Sequence, residues 1–148
     1  MSDSLPYRLN ECQFDLPHED VLDTSINILK FAELGTSLIV SRGVLAKDET
    51  LRSNFDAQLN RLEQQVQGLQ CEPVQVLHIG AQQHIQALEL HSQFSNGTEH
   101  VFQYQLALTL PGTRKMLALS YVKAEPLGDA DAAHWAAIKT SLQFEPIA

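Results

Sequence analysis

The segment "TSINILKFAELGTSLIVSR", residues 24–42, restricts the fold more than any other stretch. It reads as two strands joined by a turn at Glu33–Leu34–Gly35–Thr36. A strand with one buried face alternates apolar and polar residues, because successive side chains point to opposite faces. These two strands do not alternate. In the first, Leu29 and Phe31 point one way and Ile26 and Ile28 the other. In the second, Leu38 and Val40 share a face and Ile39 lies opposite. We place Leu29, Phe31, Leu38 and Val40 in the core under a long helix. The isoleucine face then needs a cover of its own. A second layer of the same chain, a second subunit or an apolar client would serve.

The rest of the chain supplies elements to pack on this pair. "YRLNECQFDL", residues 7–16, reads as one early strand with Cys12, Phe14 and Leu16 on one side, ended by Pro17. "KDETLRSNFDAQLNRLEQQVQGL" carries Leu51, Phe55, Leu59, Leu62, Val66 and Leu69 at steps of three and four. That spacing draws one apolar stripe along a helix, with Asp48 as N-cap and Gly68 as its stop. After Pro73, "VQVLHI" and "HIQALELHSQF" read as strands. Asn96–Gly97 marks a hairpin into "EHVFQYQLALTL", and "PGT" turns the chain into "KMLALSYVKA". A final helix, "DADAAHWAAIKTSL", is capped by Asp129 and turns Trp135, Ile138 and Leu142 inward. Tight hairpins between strands make antiparallel neighbours. The expected fold is α+β: a largely antiparallel curved sheet, a long amphipathic helix after the second or third strand, and a C-terminal helix. The 148 residues fit one domain, 1–148, with enough chain for a core that needs neither disulfide nor metal.

A formal charge of −8 with only 10 Lys and Arg argues against nucleic acid and against anionic membrane surfaces. "MSDSLPYRLNE" has neither the basic nor the apolar region of a signal peptide. No apolar run approaches the ~20 residues of a membrane span. Cys12 and Cys71 have no metal or redox spacing and read as partly buried thiols of a cytosolic protein.

Chemistry is sparse. Alternation places His84 and His91 on opposite faces, while Glu89 and His91 share one. Such Glu–His neighbours are common on exposed sheets, and a catalytic role is the weaker reading. His18, His78, His100 and His134 have no partner at ligand spacing. "LPGTRK" lacks the pattern of a phosphate loop, and Ser41–Arg42 has no base placed for it by sequence. Trp135, at helical spacing, reads as core. The expectation is a non-enzymatic protein without cofactor or metal.

"YRLNE", the acidic stretch after it, "SINILK" and "LIVSR" followed by a long amphipathic helix resemble the effector-associated Eag chaperones of bacterial type VI secretion. These are DcrB-like proteins with a Mog1/PsbP-like fold. The likeness spans the chain in element order, and its specific part lies in residues 7–42. The resemblance implies a cytoplasmic homodimer. It would bind the N-terminal transmembrane segments of a PAAR or Rhs effector and shield them before export. Carried over by motif, the client-binding residues are Ile26, Ile28 and Ile39. Ser25, Asn27 and Ser41, beside them, offer polar contacts, although alternation turns Asn27 away from its isoleucine neighbours. The rival expectation is a binding module for a soluble partner or a small apolar ligand.

Overall fold

The computed structural model describes residues 5–16, 22–80 and 85–144. His18, His84 and Pro17 fall outside them. The described chain forms nine strands and two helices: β1 Leu5–Arg8, β2 Gln13–Leu16, β3 Asn27–Phe31, β4 Thr36–Val44, α1 Leu51–Gln65, β5 Gln67–Cys71, β6 Gln75–Ile79, β7 Ile85–Asn96, β8 Glu99–Thr109, β9 Lys115–Lys123 and α2 Asp129–Thr140. The expected α+β class with a largely antiparallel sheet is what the chain adopts. The main sheet has the order β3-β4-β9-β8-β7-β5, with β6 also paired to β7, and every pairing is antiparallel.

Two elements depart from expectation. Residues 7–16 are not one strand. β1 and β2 form a separate two-stranded hairpin closed by the Leu9 N–H to Cys12 C=O bond at 2.8 Å. An apolar pattern over ten residues does not register a turn built from Asn10 and Glu11. The long helix ends at Gln65, capped by Val66 in extended backbone, and β5 follows. Gly68, with φ of +66°, belongs to that strand, at an irregularity in its register with β7. Helix α1 starts two residues later than Asp48 suggests. Thr50 is its N-cap, and Thr50 and Ser53 satisfy each other's backbone N–H groups at 3.0 and 2.9 Å. α2 begins after Gly128, whose N–H donates to the Asp131 carboxylate at 2.9 Å. Both cysteines are exposed, against the expected partial burial.

Residues opposite one another in a ladder share a face. The row Leu29, Leu38, Tyr121, Tyr104 and His91 therefore lies on one face of the sheet. α2 packs there, with Trp135 against Tyr104 and Tyr121, and His134 edge-on to Phe31 at 4.6 Å. Leu38, Leu106, Leu108, Leu119, Tyr121 and Trp135 are the centre of this core, and Ile138 and Leu142 pack against it as expected. The long helix does not cover this face. α1 touches β8 and β5 from the other side, where Phe55, Leu59 and Leu62 look onto Gln105. Alternation establishes that the sheet has two apolar faces. It carries no information on which helix takes which.

Candidate functional site

The row Ile28, Ile39, Ser120, Gln105 and Leu90 runs across the α1 face. The next row is Ser41, Ala118, Ala107, Leu88 and Val76. Over β7 and β8 these rows are buried at Leu88, Leu90 and Ala107. Over β3 and β4 they are not. Ile28 is 59% exposed, Ile26 just before β3 is 61% exposed, and Ile39 is half-buried. So α1 covers the inner half of its face and leaves the outer half open.

α1 itself is seated lightly. Its stripe of Leu51, Phe55, Leu59 and Leu62 exists as the spacing implied, yet none of the helix's residues is fully buried. Between the stripe and Gln105 lies a cleft of about 400 Å³. The result is a strip of isoleucines on β3 and β4, a half-seated apolar helix beside it, and hydroxyl and amide groups on the sheet between them. Ser120, Gln105 and the α1 side chains were not candidates from sequence. Their signal was present, since strand register alone places Gln105 in the row of Ile28 and Ile39. Reading it required knowing that β4 pairs the distant β9 on its other side from β3.

The expected site residues do not all converge. Ile28, Ile39 and Ser41 share the open face. Asn27 belongs to the other face, opposite Val40, and its Oδ1 accepts from Arg42 Nη1 at 2.7 Å. The same Arg42 nitrogen donates to the Ser25 carbonyl at 3.0 Å. Ser25 N–H donates to Asp23 Oδ1 at 2.9 Å, and Tyr7 OH to Asp23 Oδ2 at 2.9 Å. Hydrogen bonds from Ser25, side chain first and then backbone, and from Tyr7 hold the Asp23 carboxyl below the usual range. Ser25 and Asn27 thus fix the path of the chain into β3 and tie it to the β1–β2 hairpin. Leu29, assigned to the core from sequence, is 48% exposed. It sits on the core face of the edge strand β3, where α2 meets Phe31 but leaves Leu29 open.

Glu89 and His91 do share a face, and it is not an exposed one. Glu89 is only 5% exposed under α2. Its carboxylate accepts from Lys139 Nζ at 2.6 Å and Trp135 Nε1 at 3.1 Å, and faces His91 Nε2 at 2.8 Å. Burial pushes this carboxyl up, but the hydrogen bonds and charge of Lys139, with His91 and Trp135, outweigh it and leave it below the ordinary range. A carboxylate with three donors is a fastener for α2. Among the described residues no cluster of His, Cys, Asp or Glu could hold a metal ion, and no helix is long and apolar enough to cross a membrane.

Comparison with known proteins agrees with this architecture. The model of the DcrB family matches residues 11–141. The crystal structure of a protein of unknown function from Pseudomonas aeruginosa superposes with a TM-score of 0.74 at 22% identity, covering 97% of this chain and 99% of that one. At that identity the likeness speaks for the fold alone. No curated protein matches the chain.

Proposed function

The chain belongs to the DcrB family, and from that premise we propose that it is a cytoplasmic, non-enzymatic chaperone and adaptor. Its client is the N-terminal transmembrane region of a type VI secretion effector of the PAAR or Rhs type, held for loading and export. The observation that carries this reading is the uncovered isoleucine strip, Ile26, Ile28 and Ile39, on the face that α1 only half occupies. Ile26 and Ile28, mostly in water, and Ile39, half in it, have no structural return for that exposure, because a fully buried aliphatic side chain contributes about 1.5–3 kcal/mol. A transmembrane helix in water has the complementary need along its whole length.

The polar groups support the same client. Transmembrane helices meet their partners through small residues and hydrogen-bonding side chains as well as apolar ones. Ser120 and Gln105 lie in the row of Ile28 and Ile39, Ser41 lies in the next row, and all three offer such contacts. Ser25 and Asn27 act at one remove, by fixing the start of β3 through Asp23 and Arg42. An enclosed site for a small apolar ligand fits less well, because the strip is open along the sheet edge.

Co-expression with the N-terminal transmembrane segment of a PAAR or Rhs effector tests the reading. The wild-type chain is expected to keep that segment soluble and to co-purify with it, and a chain carrying Ile28→Asp is expected to lose it. Recovery of a soluble effector segment without this chain would remove the need for a chaperone.

A further inference from the structure

On the opposite face from the isoleucine strip, where α2 stops short of the sheet's β5 end, lies a cavity of about 530 Å³. Its floor and walls include Gln70, Glu72, His91, Gln93, Phe102 and Tyr104. The volume lies in the range of small-molecule sites, and the fold described so far makes no use of it. We propose that this cavity is a binding site for a small organic cation, received by the Glu72 carboxylate and the ring of Phe102.

Charge is the first reason. Glu72 Oε2 lies 3.2 Å from His91 Nδ1, but the other nitrogen of that ring faces Glu89 at 2.8 Å. One imidazole therefore stands between two carboxylates. The two ammonium groups in the vicinity are already engaged, Lys139 with Glu89 at 2.6 Å and Lys123 with Asp131 at 3.0 Å. Glu72 lines the cavity with its side chain 71% exposed, and among the described residues no ammonium or guanidinium is paired with it. The phenol of Tyr104 feels the same field: burial first, then the carboxylates of Asp131, Glu72 and Glu89, push its ionisation up.

The walls give the second reason. Phe102 and Tyr104 are two residues apart on β8 and so share one face; Tyr104 is flanked by His91 at 4.3 Å and stacked on Tyr121 at 6.1 Å, which leaves the Phe102 ring to the cavity. Aromatic faces attract cations, most strongly those that shed water easily. Gln93 Nε2 donates to Gln70 Oε1 at 2.6 Å, which orients the Gln93 carbonyl as a further acceptor. An anion would meet Glu72 and the Phe102 ring, and among the described residues no Lys or Arg lines the cavity. A neutral apolar molecule would strip water from Glu72 without compensation.

Choline and its neutral isostere 3,3-dimethylbutanol separate these cases in amide-resolved NMR titrations of the full chain. Choline is expected to move the signals of Glu72, His91, Gln93 and Phe102, and the isostere is not. Glu72→Gln, at an exposed position, is expected to keep the spectrum of the folded chain and weaken choline roughly tenfold, the loss of one charge-assisted contact. Phe102→Leu should weaken it as well. No shift with choline up to tens of millimolar, or equal binding of the isostere, would overturn the proposal.

Discussion

Glu89 is the residue at which sequence and structure part most clearly. Alternation puts it beside His91, and that neighbourhood exists. What alternation does not contain is α2, whose Trp135 and Lys139 come from 46 and 50 residues away to close over it. The pair changes from surface decoration to a buried fastener for that reason alone. Removing one partner of a buried ion pair strands the other, so Glu89→Ala is expected to cost about 3 kcal/mol in a urea titration. His91→Ala and Ser41→Ala are expected to leave the fold intact and to abolish no turnover. A substrate whose conversion stops in a folded His91→Ala chain would sink the non-catalytic reading. The pH dependence has a definite sign. Asp131 also titrates low, first through the Gly128 N–H, with burial opposing and Lys123 assisting. For both carboxyls the folded value lies below the unfolded one, so on acidification the unfolded chain takes up protons first. Their stabilisation is complete above the ordinary carboxylate range, about 4, and is lost as pH falls from there through the depressed folded values. Urea midpoints between pH 7 and 3 should fall on that side, and Glu89→Gln with Asp131→Asn should flatten the fall. An unchanged slope in the double variant would place the acid sensitivity elsewhere.

At the level of elements, the strands after Pro73 and both helices were legible because their periods are long and clean. The β1–β2 hairpin and β5 were not, since four- and five-residue strands rich in polar residues leave no period to read. The pair β3–β4 was legible in register but not in burial. Leu29 and Leu38 are direct partners, yet Leu38 is buried and Leu29 is not, because only β4 has a neighbour on both sides. That difference sets the expected behaviour of variants. Leu38→Ala opens a cavity in the core and should cost about 2–5 kcal/mol. Leu29→Ala should cost much less, the reverse of what its place in the sequence pattern suggests. The triple change Ile26→Ala, Ile28→Ala and Ile39→Ala removes mostly exposed atoms and leaves no internal void. Its melting temperature is expected to stay near that of the parent chain while the effector segment is lost from co-purification. Unfolding of the triple variant would make the isoleucines core residues. Retention of the client in a folded triple variant would move the binding face to α1 and Gln105.

For the whole molecule, dimensions decide how many copies a client needs. A membrane-spanning helix of about 20 residues is some 30 Å long and 10–12 Å across. The nine residues of β4 extend about 30 Å, so β4 matches such a helix in length, while the five residues of β3 flank about half of it. In width the open strip is three strands, β3, β4 and β9, at about 4.8 Å spacing, close to a single helix diameter. One chain can therefore floor a client helix and, with the flank of α1, cover one side of it. The remaining sides stay in water, where every uncovered aliphatic side chain keeps its penalty. A second copy facing the first across the client closes the gap, and a two-fold pair presents the same strip from both sides. The exposed edge strand β3, with Ile28 and Leu29 both about half in solvent, gives such a pair an adjacent apolar margin. Light scattering of the purified chain at micromolar concentration is expected to give about twice its 16.5 kDa mass. The mass should rise by one client segment per dimer when the segment is present. A monomer that binds the segment one to one and keeps it soluble would show that a single strip suffices, and the two-sided grip would have to be given up.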